Sequence, residues 1–190
     1  PRDKGRNTVE TCEGVLDGSV RAFIGLGGNF LRAVPDSPAV EAKWRDLALT
    51  VQIATKLNRS HLVNGRVAYL LPCLGRFEQD LQASGEQAVT MEDSLSHIHG
   101  SIGRHPPASR HLKSELAIVA GMAKATLAPR DTLKWDDWTA DYGKVRDLIE
   151  ATYPQQFRDF NARMFTPGGF DKGNAARERR WNTPSGKAQF

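Results

Sequence analysis

Residues 22–30 read Ala-Phe-Ile-Gly-Leu-Gly-Gly-Asn-Phe, an apolar run that ends in a glycine-rich turn presenting an asparagine. In α/β folds a strand buried on both faces reads as continuous apolar sequence. Glycines just past its carboxyl end let the backbone approach a phosphate or ribose with no Cβ in the way. Ligands of open α/β sheets sit at that edge. The run therefore predicts a first strand over 20–26 and a binding turn at Gly27-Gly28-Asn29. The full dinucleotide fingerprint is incomplete: Gly25-x-Gly27 follows the strand, but Phe30 stands where the third glycine belongs. Pro35-Asp36-Ser37-Pro38 also delays the next helix, so no helix N-terminus directly meets a pyrophosphate.

Periodicity extends this start into βαβ order. Asn7 and Glu10 have capping-box spacing, and Val9, Cys12, Val15 and Leu16 share a helical face, which predicts a helix over 8–17 ended by Gly18. Pro38 to Leu47 opens on the proline-tolerant first turn and places Val40, Trp44 and Leu47 for a second helix. Leu49–Ala54 and Val67–Pro72 read as further strands, and right-handed crossovers would make the set parallel. Between them, residues 55–61 are rich in hydrogen-bonding groups.

From Cys73 to about residue 113 the pattern is polar and turn-rich, predicting loops with one short strand near 88–91. Ser114 then caps a helix over 115–127, with Leu116, Val119, Ala120 and Ala123 on one face. Helices follow over 136–152 and 155–165, whose Trp138, Tyr142, Phe157, Phe160 and Met164 are expected in a core. Pro167-Gly168-Gly169 closes them and the remainder reads as extended. The expected fold class is α/β: a Rossmann-like parallel sheet flanked by helices, with an added C-terminal helical segment and an extended tail. The expected division is an α/β unit over 1–130, a helical extension over 131–166 and a linker over 167–190.

Composition narrows the chemistry. A chain of 190 residues, 39% hydrophobic, can bury a core, and it contains no transmembrane stretch and no signal peptide. It opens without methionine, the reading expected of a piece of something longer. Two cysteines without a CxxC pair encode neither a disulfide framework nor a zinc site, and a reducing cytoplasm is the default compartment. The net charge of +4 gathers partly at Lys172, Arg177, Arg179 and Arg180, a solvated or domain-packing tail rather than a nucleic-acid footprint. His97 and His99 alternate along an extended segment with no third ligand at a convincing spacing. Asp80, Glu92 and Asp93 have no nucleophile or partner beside them and read as surface carboxylates, and no serine stands in a nucleophile elbow. No catalytic residue and no metal ligand is assigned.

Four loop motifs in one order carry a resemblance: Gly27-Gly28-Asn29, then Thr55-Lys56-Leu57-Asn58-Arg59-Ser60-His61, then Leu71-Pro72-Cys73-Leu74-Gly75-Arg76, then Thr183-Pro184-Ser185-Gly186-Lys187. Together they resemble the molybdopterin oxidoreductase family, within the dimethyl sulfoxide reductase superfamily, and more narrowly its formate-dehydrogenase-like alpha subunits. The resemblance spans nearly the whole chain. It implies an internal piece of a larger molybdenum enzyme, covering a third, Rossmann-like domain that holds the guanosine end of one of two molybdopterin guanine dinucleotides. Residues 183–190 are similar to the connector into a fourth, barrel domain. The molybdenum ligand and any iron–sulfur cluster belong to the parent outside these residues. The implied partners are the remaining domains of the parent chain and a small-molecule substrate, with formate favoured.

The resemblance also implies site residues. Asn29 matches the family asparagine, with Gly27 and Gly28 giving close backbone approach. Where the family has a polar pair ending in a carboxylate, this chain has Ala54 and Thr55, and Lys56 or Arg59 are the implied diphosphate donors. Glu78-Gln79 stands at the spacing of a family Glu-Lys or Glu-His pair, which puts Gln79 in the set. Glu115, opening a helix, is suited to accept guanine N–H groups or to serve as a first-turn carboxylate. The alternative function is a nucleotide-binding or protein-interaction module of the same fold with no redox role.

Overall fold

The computed structural model describes residues 4–189, and the chain divides into two units, Pro1–Gly75 with Ser109–Glu115 and Arg76–Ala108 with Leu116–Phe190. In the first, α1 (Thr8–Leu16) begins on the capping box: Asn7 Oδ1 accepts from Glu10 N–H at 2.9 Å, and Glu10 accepts from Asn7 N–H at 2.8 Å. Strand β1 (Ala22–Leu26) follows, then a one-turn helix α2 (Phe30–Ala33), α3 (Ser37–Trp44), β2 (Leu49–Ala54) and β3 (Val67–Pro72). The strands pair in parallel in the order β1-β2-β3, with Ile24 opposite Val51 and Val51 opposite Tyr69. The expected parallel α/β sheet flanked by helices is present, as is a C-terminal helical segment.

The core of this unit lies on one side of the sheet. Cys12, Val15, Leu31, Val34, Val40, Trp44, Leu47 and Val63 are buried together, with Val20, Phe23 and Phe30 against them. Trp44 is fully buried, its ring centroid 4.7 Å from Phe23 and 5.8 Å from Phe30. A Cβ on Gly25 would stand 2.8 Å from Gln52 Oε1 and 2.9 Å from the Phe23 ring, so any larger residue must displace one of them. Burial of β1 on both faces does not hold: Ile24 and Leu26 are 57% and 54% exposed on the opposite face. The sheet is three strands wide and β1 is an edge, so a flanking strand shields only one side of each residue.

The second unit departs from the expected loops. β4 (Leu81–Gln82) and β5 (Gly85–Glu86) form a small hairpin, and β6 (Ala88–Glu92), β7 (His97–Ile102) and β8 (Phe170–Asp171) form an antiparallel sheet in that order. β8 lies in the segment read as an extended tail, and its neighbours are tied down by Lys172 to Glu92 at 2.7 Å and by an Arg177–Asp171 pair. α4 (Glu115–Thr126) matches the expected helix. The helix expected over 136–152 breaks into α5 (Trp135–Ala140) and α6 (Tyr142–Thr152), because the Asp141 side chain accepts from Gly143 N–H at 2.8 Å and caps a new start. The next one breaks likewise into α7 (Pro154–Phe157) and α8 (Phe160–Arg163). Phe160, Met164 and Phe170 are buried with Ala88 and Ile98, while Tyr142 is buried apart from them.

Asp80 is not a surface carboxylate. It is buried, accepting from Tyr142 Oη at 2.6 Å and from Gln82 Nε2 at 2.6 Å, while Gln87 Oε1 receives the Tyr142 N–H at 2.9 Å. The hydroxyl and amide donors satisfy carboxyl oxygens that would otherwise be costly to bury.

Asp93 organises the β6–β7 turn. Its carboxylate accepts from the backbone N–H of His97 at 3.0 Å and of Leu95 at 2.8 Å, and meets His99 Nε2 at 3.0 Å. The His97 N–H and then the His99 ring hold its pKa down at about 2, from 3.8. A folded-state value below the unfolded one stabilises above pH 3.8 and is lost as pH falls through about 2. Thermal melts of Asp93→Asn against the parent sequence are therefore expected to differ most above pH 5 and to converge towards pH 2. Melting curves that stay equally separated down to pH 2 would contradict this role.

Candidate functional site at the carboxyl edge of the parallel sheet

The turn after β1 is built from two left-handed glycines and an asparagine pinned by a loop that follows β2. Gly27 and Gly28 have φ of 68° and 73°, and a Cβ on either would meet nothing within 4 Å. The backbone conformation alone therefore demands glycine at both. Gly27 N–H donates to Ile53 O at 2.7 Å, holding the turn against the end of β2. Asn58 Nδ2 donates to Gly28 O at 2.7 Å. Ser60 donates to Asn29 Oδ1 twice, from Oγ at 2.5 Å and from N–H at 3.2 Å, and Ser60 Oγ accepts the Leu31 N–H at 3.2 Å.

Ser60 is almost wholly buried and lies in a 3₁₀ turn, Arg59–Leu62, whose start is a second capping box. Asn58 Oδ1 accepts from Ser60 N–H at 3.0 Å and His61 Nδ1 accepts from Asn58 N–H at 3.0 Å. Accepting there leaves the proton of a neutral His61 on Nε2. The carbonyl of Asn29 is thus spent inside the protein, so the group it can offer outward is its Nδ2.

Thr55, Lys56 and Arg59 are exposed on the same edge, while Ala54 is buried at the end of β2. Among the described residues neither Lys56 nor Arg59 enters an ion pair. Two uncompensated cations beside a turn of open glycines make an edge that favours anions.

Glu115 reaches this edge from the other flank. Cys73 N–H donates to Ala54 O at 3.2 Å and Leu74 N–H to Lys113 O at 3.0 Å, so residues 112–114 run beside the chain just past β3. Glu115, half-buried, opens α4 two residues later. Three inter-strand steps of about 4.8 Å separate that line from β1, so a ligand touching both Asn29 and Glu115 must stretch across roughly 14 Å. Gln79 falls in the second unit, half-buried, with its N–H donated to His105 O at 2.8 Å. Its neighbour Glu78 uses Oε1 to accept from Ala108 N–H at 2.6 Å.

The sequence reading named Asn29 in the turn, but not Ser60, which holds Asn29, or Asn58, which holds Gly28. The available signal was the density of side-chain hydrogen-bonding groups over 55–61, and the Asn58-x-x-His61 spacing of a cap.

No family model matches the chain. All 190 residues align with Protein YdeP of Shigella flexneri at 50% identity and with Protein YdeP of Escherichia coli (strain K12) at 49%. In both cases the whole of this chain covers 25% of the relative. An uncharacterized oxidoreductase of Mycobacterium tuberculosis (strain ATCC 25618 / H37Rv) is 41% identical over 191 aligned residues, again the whole of this chain and 24% of that protein. The chain spans about a quarter of the length of the curated relatives it matches, and so corresponds to one part of larger proteins, some of them named as oxidoreductases.

Proposed function

We propose that this chain is the part of a molybdenum-dependent, formate-dehydrogenase-like oxidoreductase that binds the guanosine diphosphate portion of a molybdopterin guanine dinucleotide. The observation that carries the reading is the Gly27-Gly28-Asn29 turn, locked from behind by Asn58 and Ser60, with Lys56 and Arg59 exposed on the same edge and in no ion pair among the described residues. The residues fit such a group in three respects. Left-handed glycines leave room for close approach, two cations suit a diphosphate, and Glu115 can accept a guanine N1–H and N2–H pair. Ala54 stands where a carboxylate for the ribose would be useful, so the reading rests the ribose on Thr55 and the backbone instead.

When bound, the pterin and its metal supply the redox chemistry, moving two electrons at a site outside this chain. The chain's own residues orient the dinucleotide and neutralise its diphosphate, and none of them is a catalytic residue. The substrate of the parent, with formate favoured, belongs to the same proposal, as do the parent's other domains as partners and a cytoplasmic location.

The test is a Lys56→Ala/Arg59→Ala variant of the full-length protein. Losing charge-assisted hydrogen bonds worth about 1.5–3 kcal/mol each should lower retained guanine nucleotide by at least about tenfold after desalting. Unchanged retention in well-folded protein would contradict the site and favour a module of this fold with no redox role.

A further inference from the structure

β3 has the composition of an interior strand and the exposure of an edge. Val67, Ala68, Tyr69, Leu70 and Leu71 carry no charge, yet Val67, Tyr69 and Leu70 are 49%, 57% and 46% exposed. The exposure is on both faces: Tyr69 stands level with Val51, and Leu70 with Gln52 on the core side. Native edge strands are blunted by charges, bulges or short length, and β3 has none of these before Pro72 at its end. Strands that are apolar on both faces are those of parallel sheets covered on both sides.

The backbone agrees. Among the described residues β3 pairs with β2 alone. Val67 N–H donates to Ala48 O and Cys73 N–H to Ala54 O, so alternation turns the odd-numbered amides towards β2 and the Ala68 and Leu70 amides away. An orderly row of donors and acceptors is thus left along an uncharged strand. Relatives about four times as long match this chain over its whole length, so three-quarters of such a polypeptide lies outside the 190 residues.

We infer that β3 is an interior strand of a wider sheet, and that a further strand from the same polypeptide, outside residues 1–190, pairs along its free edge. That segment brings apolar cover for Tyr69 and Leu70, and Pro72 confines the added ladder to residues 67–71. The inference is independent of the cofactor, because it rests on exposure and pairing alone.

Hydrogen exchange at residue resolution on the full-length protein, at two concentrations differing about fiftyfold, tests it without any substitution. The Ala68 and Leu70 amides are expected to exchange on the order of 100-fold or more slower than the exposed loop amide of Leu57, equally at both concentrations. Exchange at the Leu57 rate would overturn the inference. Protection that disappears on dilution would overturn it too, by showing that a second copy, not the same polypeptide, covers the edge.

Discussion

Truncating Trp44 to alanine is expected to cost about 3–5 kcal/mol, the largest single loss available in the first unit. The side chain is fully buried and packs on both Phe23 and Phe30, so its removal leaves a cavity bounded by two rings that cannot collapse into it without leaving their own positions. Its Nε1 is buried with no hydrogen-bond partner among the described residues. Trp44→Phe therefore keeps most of the apolar burial and removes an unsatisfied donor, and should cost less than about 1.5 kcal/mol. Urea midpoints of the two variants would measure both. Equal losses would contradict this account, by showing that a phenyl ring recovers none of the packing.

Ser60→Ala carries the largest expected effect on the site. One hydroxyl both donates to Asn29 and accepts from Leu31, so its removal strips the asparagine of its closer anchor and leaves a buried N–H unpaired. The stability cost should be about 1–3 kcal/mol, and because the Gly27-Gly28 turn loses its lock, guanine nucleotide retained by the full-length protein should fall with it. Ser60→Thr retains the hydroxyl and is the informative control. If nucleotide content is unchanged in Ser60→Ala while stability drops, the Asn29 turn is structural only.

How far the sequence could be read depends on whether the deciding interaction is local. The Asn7–Glu10 capping box, the apolar run of Leu49–Ala54 and the period of α4 are all written within a few residues, and each element stands where its residues place it. α2 was hidden, since four residues ending shortly before Pro35 give no period to detect. β7 showed only as the extended alternation of His97 and His99, because His-Ile-His-Gly-Ser-Ile has little strand propensity, and what holds it is pairing with β6, β8 and the Gly100 N–H bond to Met164 O at 2.8 Å. A Cβ at Gly100 would lie 2.8 Å from the Phe165 ring, so even the glycine is a tertiary choice.

The site divides the same way. Glycine at 27 and 28 announces a left-handed turn from sequence alone, but the Ser60 that fixes Asn29 is 31 residues away. The burial of Asp80 is set by Tyr142, 62 residues on. The exposure of Ile24, Leu26 and Tyr69 could not be foreseen from apolar runs, because a strand's composition does not say what packs on each of its faces.

The most direct measurement of the central claim is the content of the full-length protein expressed with molybdenum, by metal mass spectrometry alongside guanine nucleotide released on acid hydrolysis. The account predicts molybdenum together with about two guanine nucleotides per metal, both reduced in an Asn29→Ala/Glu115→Ala variant that remains folded. Folded protein containing neither molybdenum nor guanine nucleotide would contradict it.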